Sequence, residues 1–352
     1  MAWTEQQWIA EGRAIILALL EYEAAVVWPE VEARAAERSW LGFRRVDPNH
    51  LLTARDELLR SGEIARTPGV PTRGGRRIDV FHLPVVVGRN ATRISRVGAR
   101  KRLLQARWTG WAMGDARYPS GLVGSAGEQV ARDSLSASPP HLYAPVQANY
   151  GPVASVLGAA VVSGALDSAA WCFSRHEGLV GRPVLLPIEV KNLREWLFPD
   201  APQVHQVLHK AAALSAADAT TPLVPTLICR RRHITTLYMA QDLGFFVIEV
   251  KKQWLAPSNQ YSSRELMEVR NELGYEFLSV AAGPDPLLVK ILRETLPGRA
   301  EAAAERWSAV GARFGAEYAV IVNDRLPATT RRASFEKLRA GVMRSVGARG
   351  GW

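Results

Sequence analysis

Asp167, Glu189 and Lys191 are the residues of this 352-residue chain whose types and spacing could act together on a phosphate. Glu189 and Lys191 are two apart at the end of an apolar run, residues 184–191, that reads as a strand. Alternate strand residues share a face, so the carboxylate and the ammonium project together while Val190 points the other way. Asp167 stands 22 positions before Glu189, near the head of the preceding apolar run, which leaves room for a strand, a turn and a second strand. Two hard oxygen ligands on adjacent strands are expected to hold Mg²⁺, with Mn²⁺ able to substitute, while several waters are retained and a phosphate oxygen can enter. Such an ion polarises a phosphate, lowers the pKa of a bound water and stabilises a leaving oxygen. Lys191 would orient or deprotonate that water and offset developing charge. The plain alternative is a structural ion pair at a strand end.

The tripeptide alone decides nothing, because IEVK occurs twice, at residues 188–191 and 248–251. The nearest acid before the second copy is Asp242, only seven positions ahead of Glu249, too close for a separate strand and turn. Glu249 and Lys251 are therefore expected to be a final-strand pair with a salt-bridge role. Glu128 opens a helix upstream, where a first-turn acid also serves the helix dipole. Gln206 and Lys210, on the helix that follows the first copy, either face the site or lie on a solvated face. His205 and His209 have zinc-compatible helical spacing but no third ligand, so core or surface positions are expected. Arg230, Arg231, Arg232 and His233 follow a strand and read either as phosphate contacts or as a solvated loop. Neither a phosphate-cradling P-loop nor a dinucleotide fingerprint is present in the sequence.

Positioning these residues requires a particular succession of elements. Residues 126–251 read as α-β-β-β-α-β-α-β, helices alternating with short apolar strands, which predicts a mixed sheet covered on both faces. With Asp167, Glu189 and Lys191 in that order of elements, the chain resembles the PD-(D/E)xK nuclease superfamily over about residues 126–251. The resemblance implies a restriction-endonuclease-like α/β fold and metal-dependent hydrolysis of DNA, with Asp167, Glu189 and Lys191 catalytic and Asp167, Glu189 and Glu128 on the metal. Leu166 stands where many members have proline. Pro187, two residues before Glu189, would cost a ladder hydrogen bond, so an edge position or a bulge is expected there.

Upstream, residues 4–36 read as helical, with Pro29 as first-turn proline of a second helix over 30–38. Asp47 caps a helix ended by Gly62, and strands over 63–67 and 77–83 flank a Pro/Gly/Arg-rich tip. Over about residues 20–85 this order resembles a winged helix-turn-helix domain. Between Arg55 and Arg107 there are 13 Lys/Arg against four acids, which is nine of the chain's net +10 charges. That clustering is the footprint of a phosphate-binding surface, the alternative being a solvated basic face. Arg73, Arg76 and Arg77 at the hairpin tip, with Arg93, Arg96, Arg100, Lys101 and Arg102 on a connecting helix, are the expected nucleic-acid contacts. Trp108 and Trp111 are expected in the core or an interface. Three regions follow: a winged-helix-like 1–112, a nuclease-like 118–258 and a mostly helical 259–352. In that last region, 300–314 is expected to be a helix and 318–323 a strand.

Two cysteines exclude a disulfide framework, and no export signal or membrane span is recognisable, so a cytoplasmic setting is expected. The expected partner is duplex or branched DNA; two-strand cutting would favour a homodimer and nicking would not. Beside a metal-dependent endonuclease of restriction, defence or DNA repair stand two other readings: within the enzyme class, a structure-specific resolvase or repair nuclease, and from another class, a non-catalytic DNA-binding regulator built on a degenerate nuclease fold.

Overall fold

The computed structural model describes residues 3–352 apart from 38, 70–76, 86–88, 115–120, 177–178, 260 and 348–351. The chain forms two compact units, residues 1–122 with 258–278, and residues 123–257 with 279–352. The expected third region is thus no unit of its own: its first stretch completes one unit and the remainder completes the other.

In the first unit, helix α1 (Glu5–Glu23) starts with a capping box between Thr4 and Gln7. It stops where Ala24 turns to φ 72°. Val26–Val27 then forms a short strand, β1, before the second helix, α2 (Trp28–Ala36), which carries Pro29 in its first turn as expected. Helix α3 (Pro48–Ser61) has Asp47 as its cap, Pro48 at its start and left-handed Gly62 at its end. Strands β2 (Ala65–Thr67) and β3 (Val80–His82) follow, then the long helix α4 (Arg89–Met113). The three strands form an antiparallel sheet in the order β1-β3-β2. Helix α8 (Ser263–Leu273) packs on α4, joined to it by Arg100 with Glu272 (2.8 Å) and by Arg107 with Glu268 (3.1 Å).

The second unit is built on a five-stranded mixed sheet. Helix α5 (Gly124–Ser136) begins four residues before Glu128, the residue expected to open it. Strand β4 (Tyr143–Pro145) and a small hairpin, β5 (Ser155–Val156) with β6 (Ala159–Ala160), lead into β7 (Ser168–His176) and β8 (Leu179–Lys191). Helix α6 (Pro202–Ala217), β9 (Thr226–Cys229), α7 (Ile234–Leu243) and β10 (Phe246–Glu249) complete the succession. The order is β10-β9-β8-β7-β4, antiparallel from β4 to β8 and parallel from β8 to β10.

The period-2 pattern sorts the strands onto two cores. Ala169, Leu185, Leu227 and Cys229 face one with Val207, Leu208 and Ala211 of α6. Ala170, Cys172, Leu186, Ile188 and Ile228 face the other with Val130 and Leu135 of α5. Helices α9 (Pro286–Lys290) and α10 (Ala300–Ala309) join the second core. Helices α11 (Gly315–Val322) and α12 (Ala328–Val346) join the first. Of the expected strand 318–323, residues 318–322 are therefore helical, because Tyr318 and Ile321, three apart, are both buried against that core. The helix expected over 300–314 ends at Ala309, and a short 3₁₀ turn occupies Gly311–Phe314.

Pro187 lies neither at an edge nor at a bulge. Strand β8 has neighbours on both sides, Pro187 pairs with Ala169 in register, and the irregularity of that ladder lies at Phe173–Arg175. Two residues earlier, the Leu185 N–H donates to the Pro222 carbonyl, so Pro187 withholds the corresponding donor from Val224. The Val224 carbonyl accepts instead from Thr226 Oγ1 at 3.2 Å, which lets a central strand tolerate the proline.

Candidate active site

The antiparallel register that pairs Ser168 with Ile188 brings Asp167, one step earlier, opposite Glu189. Asp167 Oδ2 accepts the Val190 N–H at 2.7 Å, which fixes the carboxylate across the strand end. Glu189 and Lys191 share the face covered by α6, and Lys191 Nζ lies 2.9 Å from Glu189 Oε2. The other carboxylate oxygen is taken by Lys210 from α6, whose ammonium also donates to the Ala165 carbonyl at 2.6 Å. Glu189 is only 2 % exposed and Lys210 6 %, while Asp167 and Lys191 are half-buried. Gly127 explains how α5 reaches the end of β8: a Cβ there would stand 2.6 Å from that of Asn192. Asn192 in turn donates to the Val123 carbonyl at 2.6 Å, anchoring the helix that carries Glu128.

The electrostatics favour a cation. Burial pushes Asp167 up to about 6, the negative charge of Glu189 adds to this, and Glu128 adds a smaller push. The Val190 N–H and Lys191 oppose the shift. Asp167 and Glu189 thus repel one another across the strand end, hard oxygens that a divalent ion would relieve. Asp167 and Glu189 fit as its ligands. Glu128 is half-buried and 3.6 Å from Arg132 of its own helix. Among the described residues no three His, Cys, Asp or Glu side chains converge as a ready-made cluster.

Glu189, Lys191 and Lys210 open onto a cavity of about 770 Å³, also lined by Gln206, His209 and Arg331. Gln206 and Lys210 therefore face the site. Lys210 carried little sequence signal: a lysine one turn beyond Gln206 fits a solvated face equally well until the helix is docked. His205 is fully buried beside the rings of Tyr318 and Phe335, with Nε2 2.7 Å from the Pro199 carbonyl. It is a core residue. Arg230 is also buried, donating to the Leu193 and Arg194 carbonyls, and Arg231 pairs with Glu249 at 2.8 Å.

The expected nucleic-acid contacts divide. Arg73 and Arg76 lie outside the described residues. Arg77, Arg93 and Arg96 are exposed. Arg102 braces the hairpin by donating to the Ile78, Thr67 and Pro68 carbonyls, and Arg100 is held by Glu268 and Glu272. Lys101 must be withdrawn: it is 3 % exposed, with its ammonium 2.6 Å from the buried Glu30 and 3.1 Å from Glu23. Moving that ammonium to a phosphate would leave Glu30 buried with one less cation, a costly exchange. Trp108 and Trp111 are buried, as expected.

No helix among the described residues is long and apolar enough to cross a membrane. No family model, curated protein or solved structure matches the chain.

Proposed function

We propose that the chain is a metal-dependent DNA endonuclease of the PD-(D/E)xK kind, with a winged-helix-like first unit that engages DNA. The observation that carries this reading is the meeting of Asp167 and Glu189 across adjacent strands, with Lys191 on the Glu189 face at the mouth of a polar cavity. The sheet supports it, since an antiparallel trio followed through α6 by a parallel strand is what the α-β-β-β-α-β order requires. In the first unit, support comes from the order α1-β1-α2-α3-β2-β3 and the β1-β3-β2 sheet. Asp167 and Glu189 would hold Mg²⁺ or Mn²⁺, which supplies Lewis-acid polarisation of the phosphate and a more acidic bound water. Lys191 then positions the attacking water, and Lys210 orients the Glu189 carboxylate. Arg77, Arg93 and Arg96 hold the backbone.

Incubation of the full chain with plasmid and Mg²⁺ or Mn²⁺ tests this. Wild type nicks or linearises the plasmid, and Asp167→Ala and Lys191→Ala do not. Equal background in all three would sink the assignment. The regulator reading draws on one observation, the pairing of both Glu189 oxygens with lysines, which is also how a silenced site would look. It predicts DNA binding that persists in Asp167→Ala without cleavage by any form.

A further inference from the structure

A second cavity, of about 830 Å³, lies in the same unit between β10, α7 and the stretch from α9 to α10. It includes neither Asp167, Glu189 nor Lys191. Its volume is in the range of small-molecule sites. Its apolar surface comes from partly exposed side chains, among them Leu237, Phe246 and Ile291. Its charge is one-sided. Arg232, Lys251, Arg299 and Arg306 line it, and none of the four makes an ion pair among the described residues. The single lining acid, Glu249, is already neutralised by Arg231, which lies outside the lining.

Two features of the backbone suggest a built site. Lys251 has φ 60°, a left-handed conformation that costs a residue with a Cβ and is retained where the surroundings demand it. The wall at Ile291–Thr295 is a π turn, an irregularity frequent at functional positions. In addition, Arg232 Nε is buried without a hydrogen-bond acceptor. Four cations around an apolar floor cost solvation and mutual repulsion unless an anion completes them.

We propose that this cavity binds a small amphipathic anion. Its phosphate or carboxylate is received by Arg232, Lys251, Arg299 and Arg306, and its apolar body rests on Leu237, Phe246 and Ile291. A nucleotide and an acyl chain both have this chemistry. The proposal is independent of the cleavage reading and accounts for the second IEVK copy, whose lysine joins the anion site.

The probe is anilinonaphthalene sulfonate, an apolar ring system with one anionic group, titrated by fluorescence into the full chain. Saturable one-to-one binding is expected, weakened at least tenfold by Arg299→Glu with Arg306→Glu and by filling the cavity with Ala303→Trp. Should the double variant fail to fold by circular dichroism, Arg299→Gln and Ala303→Trp carry the comparison. Competition separates the sources: displacement by adenosine monophosphate indicates a nucleotide, and displacement by dodecanoate an acyl chain. Dodecanol, which lacks the charge, should displace poorly. Binding indifferent to these substitutions, displacement by neither anion, or equal displacement by dodecanol would overturn the proposal.

Discussion

The chain writes IEVK twice and puts the two copies to different uses. Both lie at the end of a strand, with glutamate and lysine two apart. The first is on β8, in the middle of the sheet, and the second is on β10, at its edge. In the first, the strand runs through Lys191, the two charges share a face, and the antiparallel neighbour presents Asp167 opposite Glu189. In the second, the strand ends at Glu249, Lys251 turns to φ 60°, and Glu249 finds Arg231 instead. The expected salt-bridge role of Glu249 is therefore present, with a different partner. Four identical residues do not make a site. What differs is which strand lies beside them and how far the extended backbone continues.

The comparison is broken most directly by cleavage assays on matched substitutions. Glu189→Gln is expected to lower metal-dependent cleavage at least ~100-fold, in line with losing a charge-stabilising group worth about 3 kcal/mol. Glu249→Gln should leave it within about twofold, on the same scale of transition-state energies. Comparable losses in both would mean that the site has been assigned to the wrong copy.

A second difference is the helix that serves the first copy. Helix α6 brings Lys210 to Glu189 and is pinned by His205, which burial holds down at about 4. The folded protein keeps this imidazole neutral while the unfolded chain protonates near 6.5, so below that pH the unfolded state binds more protons. Its contribution is full above pH 6.5 and is lost as pH falls from 6.5 towards 4. A tenfold difference in proton affinity is worth about 1.4 kcal/mol, so roughly 3 kcal/mol is at stake. Denaturant titrations of wild type and His205→Leu across that window should converge as pH falls; parallel curves would show that His205 does not titrate on unfolding.

At the second copy, Glu249→Ala removes one ion-pair partner of Arg231, which also lies over the Trp196 ring, both side chains of the pair being 15 % exposed. A cost of about 1–2 kcal/mol is expected, between the values for exposed and buried pairs. A chemical-denaturation midpoint equal to wild type would reduce this pair to a surface contact. The smallest effect is expected from Pro187→Val, which makes the residue before IEVK the same in both copies, since Val247 stands there in the second. The new N–H faces Val224, but Thr226 already serves that carbonyl. The hydrogen bond gained, about 1 kcal/mol, is offset by the freer unfolded chain, so stability should move by less than about 1 kcal/mol. A larger loss would show that Pro187 shapes the strand.

Asp167 was legible because a strand, a turn and a strand separate it from Glu189, and the same count disqualified Asp242. Element types in the second unit were also legible through β10, since the periods of 2 and 3.6 are local properties of the chain. Residues 318–323 misled because Tyr-Ala-Val-Ile-Val reads as a strand by composition, whereas docking on the first core of that unit selects the helix. The split of residues 258–278 from 279–352 has no local signal either, because unit membership is decided by distant packing.

What the sequence alone determined is the succession of elements and the shared face of Glu189 and Lys191, both consequences of short-range backbone geometry. Only the tertiary structure decided that Lys210 reaches Glu189, that Lys101 is buried against Glu30, and that Pro187 lies in a central strand. Each depends on which segments become neighbours, and a long lysine side chain fits a solvated face or an ion pair equally well until that neighbour is in place.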